Sequence, residues 1–108
     1  MKEEEQKVIF IDIDETICSH PNTNPNQPRA YSQAIPDENN IQKANQLYEE
    51  GHRIVYWTAR GSLTGQDWTE VTRDQLSKWG VKYHELRLGK PHYDLFIDDK
   101  ALNTRDWK

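Results

Sequence analysis

Two short β-branched runs, VIFIDI at residues 8–13 and RIVYWT at 53–58, bracket a segment with helical spacing. Runs of that length, almost continuously apolar, predict buried strands. The segment between them predicts a helix starting near Asp37, with Ile41, Ala44, Leu47 and Tyr48 on one face and Gly51 placed to end it. Residues 61–65 read as a turn. Asp67 followed by Glu70 resembles a capping box, opening a second helix that turns Trp68, Val71, Thr72, Leu76 and Trp79 inward and ends at Gly80. A short strand is expected within residues 81–88, and another at 93–97 that runs straight into Asp98 and Asp99. Strands alternating with helices imply a parallel sheet. Right-handed crossovers then give an α/β fold, a small doubly wound, Rossmann-like sheet with helices on both faces.

In such sheets, ligands sit beyond the carboxyl ends of the strands, at the switch point. Asp12 and Asp14, Thr58, and Asp98 and Asp99 all fall at expected strand ends. Three strands would thus deliver polar groups to one edge. Asp12, Asp14 and Thr16 follow one another at a spacing of two, which puts side chains on one face of a strand. Carboxylates that close repel unless a cation or a proton intervenes. Mg²⁺, which favours hard oxygen ligands, is the usual remedy. The pattern points to a metal site with one carboxylate free to attack an electrophile.

The chain has 108 residues, enough for one domain over residues 1–108 with a single core. Only 34% of it is apolar and 30% is charged, so that core must be compact and aromatic-rich, as the four Trp and five Tyr allow. A net charge of −4 argues against general nucleic-acid binding, which needs a basic face. The single cysteine, Cys18, excludes an internal disulfide and is expected to pack as a small apolar residue. The start, MKEEEQK, lacks the apolar stretch of a signal peptide, and its acidic run reads as a solvated tail. No run approaches a membrane span. The expectation is a soluble, cytoplasmic protein.

The motifs, taken in order, resemble those of the haloacid dehalogenase superfamily of phosphohydrolases. DxDx[TV] corresponds to Asp12-Ile13-Asp14-Glu15-Thr16, the strand ending in Thr or Ser to IVYWT with Thr58, the lysine to Lys90 in GKP, and the acidic pair to Asp98 and Asp99 in IDD. The commonest first motif has Gly where this chain has Glu15. TARG (58–61) and LGKP…FIDDKAL (88–102) are further similar to small phosphatases associated with capsule and surface-polysaccharide biosynthesis.

The resemblance implies two-step phosphoryl chemistry. Asp12 would attack phosphorus to form an aspartyl phosphate. Asp14 would act as general acid, then general base. Mg²⁺ would be held by Asp12, the Asp14 carbonyl and Asp98, with Asp99 ligating directly or through water. Lys90 and Thr58 would bind the phosphoryl oxygens. Arg60 is a candidate for binding substrate or for pairing with a surface acid. Arg29, Tyr31 and His92 could line the pocket or stand in solvent, Asn103 and Arg105 have a weaker claim, and Trp57 or Trp68 could border the site.

Neither the segment after Thr16 nor the one between Thr58 and Lys90 has room for a separate cap domain. A capless site needs a bulky substrate or walls lent by a neighbouring copy, which makes a homo-oligomer plausible. The Pro/Asn-rich loop at 19–34 could be a partial lid or an oligomer contact. The leading expectation is a Mg²⁺-dependent phosphomonoesterase acting on a sugar phosphate or a related small metabolite. The alternatives are a phosphotransferase or nucleic-acid-end phosphatase of the same chemistry, and a non-catalytic module that binds a phosphorylated ligand.

Overall fold

The computed structural model describes residues 5–21 and 30–108. Its frame is a parallel sheet of β1 (Val8–Ile11), β4 (Arg53–Trp57) and β5 (Glu85–Arg87), with β4 in the centre. Helix α1 (Glu38–Glu49) connects β1 to β4, and α2 (Thr69–Lys78) connects β4 to β5. A two-residue antiparallel ribbon, β2 (Cys18–Ser19) with β3 (Ile35–Pro36), closes the base of the Pro/Asn-rich loop. Half of that loop, residues 22–29 with Arg29, lies outside the described residues, as does the start of the acidic amino-terminal run.

The register of β1 on β4 sets Ile9 against Ile54 and Ile11 against Tyr56. Ile11, Ile54 and Tyr56 join Ile41 and Ala44 of α1 and Leu76 of α2 in one core cluster, with Ile13, Ile17 and Cys18 from the segment after β1. Both helices therefore cover the same face. This corrects the expectation of helices on both faces, and the reason is topological. The strands step in one direction, β1 to β4 to β5, and right-handed crossovers taken in one direction fall on one side. A doubly wound sheet needs a further strand on the outer side of β1, and among the described residues that edge is unpaired. On the uncovered face Val8 and Phe10 are 59% and 47% exposed.

The helices largely start and stop where their sequences direct. The Asp37 carboxylate accepts from Asn40 N at 3.0 Å and caps α1. The helix stops at Glu49, and Gly51 takes a left-handed φ of 98°. The capping box expected for α2 does not form. Asp67 Oδ1 accepts from Thr69 N at 2.9 Å, one position early, the N-cap is Trp68 without a side-chain bond, and Glu70 pairs with Arg73.

The strand expected at 93–97 is also absent. Residues 91–103 are exposed throughout and carry no regular structure beyond a turn at 99–100. Leu95 is 75% and Ile97 88% exposed. After this run the chain returns to the body. Thr104 Oγ1 lies 3.1 Å from Thr16 Oγ1, and the Trp107 carbonyl accepts from Lys43 Nζ at 2.7 Å.

Candidate active site

At the carboxyl end of the sheet lies a cleft of about 540 Å³, a size typical of small-molecule sites. Asp12, Asp14, Arg60 and Lys90 line it, with Tyr31, Trp68, His92 and Tyr93 among its walls.

Asp12 is the first residue past β1, so it leaves the sheet with its carboxylate half-exposed at the cleft. Lys90 Nζ stands 3.8 Å from Asp12 Oδ1. The lysine is placed by backbone and aromatic contacts. Its N–H donates to Thr58 O at 3.1 Å, and its ammonium lies 5.9 Å from the Trp57 ring centroid and 5.4 Å from that of Tyr93. Burial pushes the Asp12 carboxyl above its ordinary value, and the Lys90 charge works against that rise.

Asp14 is held differently. Arg60 Nε donates to its Oδ2 at 3.0 Å and Arg60 Nη2 to its Oδ1 at 2.9 Å, a two-pronged pair. The guanidinium is fully buried. Its Nη1 donates to Thr72 Oγ1 at 3.0 Å and to Gln75 Oε1 at 2.6 Å, both on α2, and Tyr31 covers its face at 4.9 Å. Arg60 is thus committed to Asp14 and α2. Its partner is not the surface acid expected but the mostly buried Asp14 of the cleft, and the substrate-binding role is corrected as well, because its donors point at protein oxygens.

Thr58 is also displaced from its expected role. It is fully buried and does not line the cleft, and its hydroxyl accepts from the Arg60 N–H at 3.1 Å. It shapes the turn that carries Arg60. Gly61 follows with φ 82°, and a Cβ there would lie 2.1 Å from Gln66 O, so the TARG turn requires glycine at its last position.

Glu15 adopts φ 63°, the left-handed conformation that glycine takes without strain. The turn after Asp14 thus keeps a glycine-like shape despite its glutamate. Its carboxylate contacts His20 Nδ1 at 3.0 Å. His20 was not singled out from the sequence. Its Nε2 comes within 3.2 Å of Asp14 Oδ1, but off the line a hydrogen bond requires, and it has no hydrogen-bond partner among the described residues. No spacing signal marks it, because the turn and the β2–β3 ribbon bring it to Asp14.

Asp14, Cys18 and His20 are the one set of three metal-ligand side chains that meet within 4.8 Å among the described residues. The Arg60 guanidinium already pairs with Asp14 and reaches to 3.9 Å from Cys18 Sγ, so a positive charge occupies that position. Burial pushes the Cys18 thiol up to about 12.

Asp98 and Asp99 are not in the cleft. They lie on the exposed run, where Asp98 Oδ1 accepts from Lys100 N at 2.9 Å and closes a local turn, a bond that holds its carboxyl below the usual range. The Mg²⁺ ligand set Asp12, Asp14, Asp98 and Asp99 is therefore split within the single chain, and the residues present in the cleft do not fit that ion. Asn103 and Arg105 also stay outside the cleft, with Asn103 capping a 3-10 turn at Thr104–Asp106. Tyr31, His92 and Trp68 do line it, whereas Trp57 supports Lys90 from behind.

No family model and no curated protein matches the chain. Among solved structures it is similar to a structural-genomics target from Vibrio cholerae, known from its crystal structure. The two share 26% identity and a TM-score of 0.80, over 94% of this chain and 87% of that one. The α/β architecture is thus shared with an experimentally determined structure. No helix among the described residues is long and apolar enough to cross a membrane.

Proposed function

We propose that the chain is a phosphomonoesterase of the haloacid dehalogenase type, with Asp12 as its nucleophile. The observation that carries this reading is the pairing of a half-exposed carboxylate at a strand end with Lys90, 3.8 Å away, at a cleft sized for a small metabolite. A carboxylate approaching a phosphate dianion is repelled, and the Lys90 ammonium supplies counter-charge where the phosphoryl oxygens would lie. Asp12 attacks phosphorus, the P–O ester bond breaks, and the leaving oxygen takes a proton. Water then adds to the aspartyl phosphate, releasing inorganic phosphate and restoring Asp12. Asp14 lines the same cleft, and Arg60 fixes its orientation, which suits it to guide the proton in each step.

Sugar phosphates and other small phosphomonoesters are the substrates of choice for this reading, because the cleft has the volume of a small-molecule site and the net charge of −4 disfavours nucleic-acid ends. One observation favours a second reading, a phospholigand-binding module. The tie of Asp14 to Arg60 leaves its oxygens occupied.

The test is phosphate release from sugar phosphates, nucleotides and p-nitrophenyl phosphate, with and without Mg²⁺. The enzyme reading expects turnover that Asp12→Asn abolishes and that Lys90→Met lowers by about 10²–10³-fold. Binding of phosphorylated ligands without turnover on the whole panel would select the module instead.

A further inference from the structure

We propose that residues 93–97 form a strand on the outer edge of β1 in a second copy of this chain, so that the protein is a strand-exchanged homodimer. The proposal deepens the phosphatase reading and rests on it in one respect: the exchange completes a site that one chain leaves split.

One edge of the sheet and one strand-like segment are both unpaired among the described residues. β1 pairs only with β4 among the described residues, and its outer side offers an open row of N–H and C=O groups beside exposed Val8 and Phe10. Such edges are templates for another strand. YDLFI at 93–97 is rich in β-formers and carries exposed Leu95, Phe96 and Ile97, while lying away from every sheet. Exposing that much contiguous apolar surface is costly in a free monomer. The Cα radius of gyration is 14.4 Å and the long axis 52 Å. A compact chain of ~100 residues has a radius of about 13 Å. The likeness to the Vibrio cholerae structure covers 94% of this chain, which leaves too few residues outside it to hold the whole exposed run.

Reach decides between the chain's own edge and a partner's. Lys90 N bonds Thr58 O and Thr58 N bonds Arg87 O, so Lys90 stands in line with β5, level with the carboxyl end of the sheet. A parallel strand outside β1 would lie three strand spacings away, about 14 Å. To bring Asp98 beside Asp12 it must also begin near the level of Val8, about 16 Å back along the sheet. The diagonal is about 21 Å before any detour around the sheet, whereas Tyr93, three residues after Lys90, reaches at most about 11 Å. The chain cannot lay this strand on its own β1 without releasing Lys90. An antiparallel path would carry Asp98 away from Asp12.

A partner removes the conflict. The position of a partner's β1 is not tied to the strand spacing of this sheet, so a second copy packed with the start of its β1 within about 11 Å of Lys90 can receive the strand. The residues from Asp98 to Thr104 span up to about 20 Å, enough to return to Thr16 of the parent body. The contact is isologous, so each copy gives one strand and receives one. Each cleft then joins Asp12 and Asp14 of one chain to Asp98 of the partner subunit and Asp99 of the partner subunit. Asp12 and the two partner carboxylates then meet beside the Arg60-paired Asp14 at one strand end, an arrangement a divalent cation would neutralise.

Native mass spectrometry and light scattering of the full chain read the assembly directly. The proposal expects a dimer at micromolar concentration, converted to a folded monomer by Leu95→Asp with Ile97→Asp, as judged by circular dichroism. Neither side chain is buried in the single chain, so the fold has no cause to fail. A monomeric wild type, or a dimer that survives the double variant, overturns the exchange. Composite sites are read by co-refolding Asp12→Asn chains with Asp98→Asn chains, each inactive alone. Random pairing restores about a quarter of wild-type phosphatase sites when sites are shared between copies, and none when each chain is self-sufficient. A dimer that passes the first test but lacks phosphatase activity in the wild type would retain the exchange and overturn the function.

Discussion

The turn-and-strand-end region at 12–20 and 58–61 and the exposed run at 91–103 carry equally recognisable motifs, yet only the first is built into the body. Around Asp12 and Asp14, local rules and tertiary packing agree. A buried strand ends, a turn with a left-handed Glu15 follows, and Arg60 crosses from β4 to fix Asp14 and α2 together. Around Asp98 the local rules are satisfied, since the carboxylate closes its own turn, but YDLFI pairs with no strand among the described residues. A motif records which residues chemistry needs. Whether one chain can gather them depends on linker length, and here the lead from Lys90 to Tyr93 is too short.

The largest expected effect tests how tightly the first region is held. Arg60→Met leaves the Asp14 carboxylate mostly buried without its partner and should cost about 3–5 kcal/mol of stability in denaturant unfolding. A loss below 1 kcal/mol would mean that the pair does not organise this end of the sheet.

A matched pair of truncations sharpens the contrast. Ile54→Ala, at a fully buried site, should cost about 2–5 kcal/mol at every protein concentration. Ile97→Ala should lower stability only where the dimer is populated, with the difference vanishing on dilution. A concentration-independent loss for Ile97→Ala would place that side chain in its own chain's core.

Smaller effects come from polar groups that the packing leaves strained. The Tyr56 hydroxyl is buried without a hydrogen-bond partner among the described residues, so Tyr56→Phe should raise stability by up to about 1 kcal/mol in thermal melts. Asp12→Asn should stabilise modestly, with a defined pH dependence. Burial holds the folded carboxyl above its usual 3.8, so the wild type is penalised at neutral pH relative to the variant. The difference should shrink as pH falls through the raised value and disappear below the usual one. A gap that widened on acidification would contradict the direction of the shift.

Much of the first region was legible in the sequence. Hydrophobic runs marked β1 and β4, and apolar spacing with Asp37 marked α1. The placement of Asp12 and Lys90 at one edge follows from strands that end together. Three things were not legible. The burial of Thr58 and Arg60 depends on α2 presenting Thr72 and Gln75, a contact between elements that no local pattern encodes. His20 reaches Asp14 through the turn and the β2–β3 ribbon. The one-sided covering of the sheet follows from strand order, and the fourth strand that would have reversed that order reads as a strand in its composition but pairs with no edge among the described residues.

The claim that 93–97 cannot reach its own β1 is tested most directly by spin labels at Phe10→Cys and Leu95→Cys in a Cys18→Ala background. Mixed singly labelled chains should show strong spin–spin broadening after co-refolding. Doubly labelled chains should lose that broadening when diluted into excess unlabelled protein. Broadening that persists through dilution, with none between mixed single labels, would put the strand on its own sheet and contradict the account.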